Sequence, residues 1–249
     1  MRTRLCLSAV VVSLAAMVVA SSVAVADELP VPPAPAATGS ITGTVSFKGT
    51  APVREKLRRD SDPVCAATEA FSEDVVVNKG KLAGVLVRIK NGTAGTHAAP
   101  SAPAVLIQDK CTYAPRVIGI VAGQQVAIRN GDPTFHNVRG NLGDKTLFNL
   151  PHAKGAGDII RDNLGKAGDI VDMNCDVHPW MRSFVAIHDH PFFTVTGDSG
   201  AFTLTGLPEG KYTVEAWHPV LGLKSTTVTI GKGKKAKAKA SFAFKAKAK

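Results

Sequence analysis

A thiol, an imidazole and a thioether fall within one short stretch of this chain, Asn174-Cys175-Asp176-Val177-His178-Pro179-Trp180-Met181. Far upstream, Asn130-Gly131-Asp132-Pro133-Thr134-Phe135-His136-Asn137-Val138 supplies a second imidazole. A thiolate, two imidazoles and a weak thioether suit copper in both of its oxidation states. The soft sulfur favours Cu(I), and the two nitrogens keep Cu(II) acceptable. Zinc is the chemical competitor, but it seldom takes a thioether and prefers further Cys or His. Covalent haem is disfavoured, because no Cys-x2-Cys-His run is present.

The spacing also restricts how these residues are carried. Cys-x2-His-x2-Met is too closely spaced for one face of a helix and suits a loop wrapped around an ion. Strands are therefore expected on both sides, at about 169–173 before Cys175 and 183–188 after Met181. A third strand, 125–129, leads toward His136, which must lie in a loop at the same end of the sandwich.

The order His136-Asn137-Val138, then Cys175-x2-His178-Pro179-x-Met181, resembles the cupredoxins, especially amicyanin and pseudoazurin with their short ligand loop. The lead-in from Tyr113-Ala114-Pro115 through Val121 to Val126, then Asn130 and Asp132, belongs to the same resemblance, which covers about 100–190. It implies an all-β Greek-key β-sandwich with one mononuclear type 1 copper centre. His136 would be the upstream imidazole ligand, Cys175 the thiolate, His178 the downstream imidazole and Met181 the weak axial ligand. The Asn137 backbone N–H would support the cysteine sulfur, a contact that tunes potential. His178, flanked by Pro179 and Trp180, would be the electron port, its ring edge reaching a nonpolar surface where a redox protein docks transiently. Phe135 departs from the pattern, standing where proline often precedes the first ligand.

The beginning of the chain reads as an export signal. Arg2 and Arg4 precede an uncharged run from Leu5, and Ala24-Val25-Ala26 forms a small-residue cleavage site. Residues 1–26 are expected to be a signal peptide, 27–40 a Pro/Ala linker, and the protein periplasmic or secreted. Cys6 would leave with the signal, so three cysteines remain in an oxidising compartment. With Cys175 assigned to the metal, Cys65 and Cys111 are expected to form a disulfide.

The net charge of +10 is a local property. Of 30 Lys and Arg, two lie in the signal and eight from Lys232 onward, leaving 20 to balance the 20 acidic residues of 27–231. No basic groove for nucleic acid is implied. Residues 231–249 read as a mobile Lys/Ala tail, able to touch anionic envelope components weakly.

Outside 100–190, Ile41 to Phe47 alternates as a half-exposed strand, and Leu82 to Ile89 is a second β-rich run. Further on, Phe192 to Leu204 contains Asp198-Ser199-Gly200, expected as a tight hairpin turn, and Leu207-Pro208-Glu209-Gly210 suits a type I turn. The runs T-x-x-x-G-x-F-x-L and L-P-x-G-x-Y-T-V resemble the carboxypeptidase regulatory-like (transthyretin-like) sandwich. That resemblance implies a second small β-sandwich, expected from 41–95 and 192–230 with the copper domain inserted; a cupredoxin with β-extensions at both ends is the alternative. His188 and His190, at i and i+2 on one strand face, could form half of a second metal site. Hydrogen bonding at a domain junction is the more ordinary use, and His218 is open in the same way. His97 and His152 fall in loops. The expected function is one-electron transfer rather than catalysis, since no open ligand position is apparent. An envelope-binding or copper storage or sensing protein is the alternative.

Overall fold

The computed structural model describes residues 39–90 and 97–246. The expected signal peptide and nearly all of the Pro/Ala linker lie outside them. No helix among the described residues is long and apolar enough to cross a membrane.

The fold is all-β. Among the described residues the exceptions are one helical turn, Pro63–Ala66, and one 3-10 turn, Gly233–Ala236. The strands make four sheets around two main apolar cores. One five-stranded sheet runs in the order Lys145–His152, His136–Leu142, Ile170–Asn174, Arg182–His188, Val117–Val121. A four-stranded sheet faces it, in the order Ile159–Arg161, Val126–Asn130, Ala104–Asp109, Thr112–Ala114. Their inward residues, among them Leu106, Ile120, Ile128, Val138, Val171 and Met173, are buried together with Cys175 and Met181. Alternation explains the sidedness: Val171 and Met173 face in, while Ile170, Asp172 and Asn174 remain partly exposed.

The described residues between 89 and 193 contribute strands only to these two sheets. The flanking segments build the other two. Strand Gly39–Lys48 is central to one, paired antiparallel with Ala201–Leu207 and parallel with Lys237–Lys245. Short strands Lys81–Leu82 and Val77–Asn78 complete it. The opposite sheet runs Phe193–Val195, Leu86–Ile89, Gly210–His218, Gly222–Ile230. Ile41, Val45, Leu82, Val87, Val214 and Phe244 fill the space between them. A third, smaller cluster joins the two halves, with Leu86, Val117, Phe184 and Ala186 against Trp217 and Phe193.

Two expectations are corrected here. Lys237–Lys245 is a strand and not a mobile tail. Ala240, Phe242 and Phe244 alternate inward, while Lys237, Lys239, Ser241 and Lys245 face solvent. Apolar burial on one face outweighs the charge on the other, and outward lysines discourage a further strand from adding at this edge. The Asp198-Ser199-Gly200 turn closes no hairpin. Phe193–Val195 and Ala201–Leu207 lie in different sheets, so the turn carries the chain across the sandwich. Gly200 has φ +63°, and a Cβ there would stand 2.3 Å from the Val45 carbonyl oxygen, so this crossing needs glycine.

Candidate metal centre

Local hydrogen bonds place His136. After strand Val126–Asn130, the Asn130 side chain donates to the carbonyls of Thr134 and His152, both at 3.0 Å, and accepts from the Asp132 N–H at 3.0 Å. The 131–135 loop is thereby held shut, and His136 opens the next strand. Cys175 directly follows strand Ile170–Asn174, and Met181 directly precedes Arg182–His188. Between them the loop closes on itself: the Met181 N–H donates to the His178 carbonyl at 2.9 Å. Asn137 ties this loop to its neighbour, donating to Asp176 at 3.1 Å and accepting from the Asp176 N–H at 2.5 Å.

The result is convergence. One donor atom each from His136, Cys175 and His178 lies within 4.8 Å of the others, and all three residues are buried. His136 Nδ1 and His178 Nδ1 face each other at 2.9 Å, with Cys175 Sγ 3.9 Å from His178 Nδ1. Met181 is buried in the same core cluster as Cys175. Cys175 is the free cysteine among the described residues.

The outer nitrogens are also engaged. His136 Nε2 lies 2.9 Å from Asp132 Oδ2, and His178 Nε2 lies 3.1 Å from Asp62 Oδ2. A carboxylate accepts only, so each Nε2 carries its proton. One Nδ1 must then donate to the other, so one ring of the pair is cationic, and the electrostatic surroundings favour His136. Burial disfavours charge on His136, but hydrogen bonds to Asp132 and Cys175 outweigh it and lift the imidazole to about 9. Burial, then the His136 charge, hold His178 below its ordinary value. Burial would raise the Cys175 thiol, yet hydrogen bonds from His136 and from the backbone N–H groups of Asn137, His178 and Val177 bring it below the usual range. The pocket thus stabilises a thiolate, the form in which cysteine binds metals.

One expectation fails on geometry. The outer edge of His178 does not reach the surface: the residue is 1% exposed. Asp62 and Cys65, from a segment remote in sequence, sit against its Nε2, and Cys65 Sγ is 3.7 Å away. Pro179 and Trp180 flank it as expected, Trp180 with ring centroids 5.1 Å from His178 and its indole N–H donating to the Cys111 carbonyl at 2.9 Å. Exposed apolar side chains near the ligands are instead Phe135 and Val177. Cys65 and Cys111 form a disulfide. Two further donor groupings, Asp62-Cys65-His178 and Cys111-Asp132-His136, therefore have no thiolate to offer.

Sequence reasoning missed Asp62 and the use of Asp132 against His136. Asp62-Pro63 carries a local signal, an N-cap residue before a proline at the first helical position. That signal finds the turn but not its distant partner. His190 is committed to hydrogen bonds, its Nε2 to the Ile89 carbonyl at 3.0 Å and its Nδ1 accepting from the Phe192 N–H at 3.2 Å. His218 Nδ1 accepts from Val220 and Leu221 N–H groups, and His188 packs edge-on against Phe193. Among the described residues, these three histidines form no metal-binding group with other His, Cys, Asp or Glu.

The residues present fit copper, since the Cys175 sulfur and the two Nδ1 atoms converge, the Nδ1 atoms sharing one proton that a metal would displace, while both Nε2 atoms are held by carboxylates. No protein-family model matches the chain, and no curated protein matches it. Among solved structures, 34% of the chain is similar to 98% of a purple cupredoxin from Nitrosopumilus maritimus, at 24% identity and a TM-score of 0.29. A 41% share is similar to 97% of amicyanin from Paracoccus versutus, at 24% identity and a TM-score of 0.31. A Cu(I) form of a mutant amicyanin is similar over the same share, 98% of its own chain, at 20% identity and a TM-score of 0.31. The solved structures that this chain is similar to are cupredoxin β-sandwiches.

Proposed function

We propose that this chain is an exported type 1 copper protein that carries one electron, with His136, Cys175, His178 and Met181 as ligands. The observation that carries the reading is the meeting of His136 Nδ1, His178 Nδ1 and Cys175 Sγ within 4.8 Å in a buried pocket. Bound copper supplies a couple between Cu(I) and Cu(II) at neutral pH. His136 and His178 present nitrogen lone pairs once the shared Nδ1 proton leaves, and Cys175 presents the thiolate. The backbone N–H groups of Asn137, Val177 and His178 stabilise that sulfur. Asp132 and Asp62 keep the imidazoles turned inward. Rigid ligand positions favour fast exchange because little rearranges when the charge changes. A transient redox protein is the partner class, and the periplasm or the exterior is the expected location.

A second reading is copper storage or sensing without rapid exchange. The burial of His178 favours it, since the expected port is covered.

Copper(II) added to the metal-free protein tests both. A strong sulfur-to-copper visible band with narrow hyperfine splitting in electron paramagnetic resonance, lost in Cys175→Ser, supports the copper site. Absence of the band in the unmodified protein overturns it. Electron self-exchange then separates the readings: a reversible couple with rapid exchange supports transport, and a sluggish one supports storage.

A further inference from the structure

The residues around the outer edge of His178 form one connected structure. Asp62 uses both carboxylate oxygens. Its Oδ1 accepts from the N–H groups of Val64 at 2.8 Å and Cys65 at 3.3 Å. Its Oδ2 accepts from the Thr134 hydroxyl at 2.7 Å and faces His178 Nε2 at 3.1 Å. Cys65 is bonded to Cys111. The Cys111 N–H in turn donates at 2.9 Å to Asp132 Oδ2, the same oxygen that faces His136 Nε2. Each half of the disulfide is therefore hydrogen-bonded through its own backbone N–H to the carboxylate that holds one imidazole. Arg59, 3% exposed, adds a second fastening by donating to the Lys110 carbonyl at 2.6 Å and to the Thr68 hydroxyl at 3.0 Å.

We propose that the 59–68 segment is a built-in cover for the metal centre, fastened by the Cys65–Cys111 disulfide, in which Asp62 is a positioning residue that fixes His178 with Nδ1 inward. This rests on the copper reading above. The argument is geometric. Among the described residues, none of the 175–181 loop accepts from His178 Nε2, whereas Asp62 reaches it from more than a hundred residues away. Without that acceptor, the ring has no reason to keep its proton on the outer nitrogen. A carboxylate behind the ligand also opposes the loss of positive charge when Cu(II) becomes Cu(I), so it favours the oxidised state. With the ring edge under the cover, electrons must enter elsewhere than at the His178 edge.

Asp62→Asn and Asp62→Ser are the informative variants, since both keep a side-chain oxygen for the helical turn. Asn presents N–H donors where the acceptor was, and Ser is too short to reach His178. The readouts are the 15N shifts of His178 in metal-free protein, the copper reduction potential and the rate of copper loss to excess chelator. In the unmodified protein His178 should be in the Nε2–H form. In both variants that form should lose its dominance. The Cu(I) to Cu(II) ratio at fixed potential should rise about tenfold, a shift of about 59 mV for a one-electron couple, and copper should leave about tenfold faster. Variants matching the unmodified protein in tautomer and potential would overturn the proposal, even with a lower melting temperature. Absence of a copper band in the unmodified protein would instead overturn the copper reading, and this inference with it.

Discussion

His136 and His178 meet through their Nδ1 atoms at 2.9 Å, while their Nε2 atoms point apart toward Asp132 and Asp62. Two neutral imidazoles so oriented would place two lone pairs together, so one ring must bring a proton. In the metal-free protein His136, lifted to about 9, is therefore expected to be cationic at neutral pH, and His178, held down by burial and by the His136 charge, neutral. NMR titration should find one ring changing near pH 9 and the other below its ordinary range. A metal must displace the shared proton. Copper affinity should accordingly fall as pH drops below about 9, by up to roughly tenfold per unit for that proton. Two rings titrating together near 6.5 would contradict this arrangement.

Away from the metal, burial pushes His188 down to about 3 and His218 to about 4. The unfolded chain takes up these protons near pH 6.5, before the folded chain can. Both groups leave stability intact above that pH and erode it as the solution is acidified, His218 toward pH 4 and His188 toward pH 3. Between pH 7 and 5 the loss should be roughly 2 kcal/mol for each. Urea unfolding should show this slope, and replacing both residues by Phe should flatten it.

Strand Lys237–Lys245 makes a sharper prediction than its composition suggests. Phe244 is 1% exposed within the core that also holds Ile41 and Val45. Phe244→Ala should cost about 3–5 kcal/mol. Lys239→Ala, on the outward face, should change stability by about 0.5 kcal/mol or less. Equal effects in chemical denaturation would place the strand outside the cooperative unit.

Two acidic residues in ion pairs offer a contrast. Glu215 has a side chain only 3% exposed and is paired with Arg88 at 3.0 Å and Lys90 at 3.4 Å. Glu215→Ala strands Arg88, whose side chain is only 18% exposed, and should cost about 3–5 kcal/mol. Asp158→Ala removes the outlying partner of Arg129, whose side chain is 54% exposed, and should cost at most about 1 kcal/mol. Melting of both variants under one condition checks the ranking.

Disulfide reduction is the remaining test of the architecture. Cys65 and Cys111 enclose a long stretch of chain, and the chain-entropy model assigns such a bond about 4 kcal/mol. Reduced protein should unfold at lower denaturant by a comparable amount, and thiol titration of a denatured, unreduced chain comprising residues 27–249 should find one thiol. Three thiols would exclude the bond.

Much of the centre was legible because its residues are close in sequence or unusual in type. Cys175, His178 and Met181 advertise a loop by spacing alone, flanked by Ile170–Asn174, which shows period-two burial, and Arg182–His188, which is buried at every position after its first. Asp62 was not legible, because a hydrogen bond to a residue so distant leaves no periodic trace. The buried edge of His178 went unseen for the same reason: its cover comes from outside the segment that carries the resemblance. The last strand was misread because eight lysines dominate the composition while the alternation of Ala240, Phe242 and Phe244 occupies few positions.

Strand Gly39–Lys48 lies between partners that are synthesised much later, at 201–207 and 237–245. Its sheet cannot be completed until residue 245 has been synthesised. The intervening sheets draw only on 104–188 and have every partner in hand sooner. Maturation should proceed from the middle outward, so that the half carrying His136, Cys175 and His178 acquires shape while the polypeptide's two flanks are still waiting to meet.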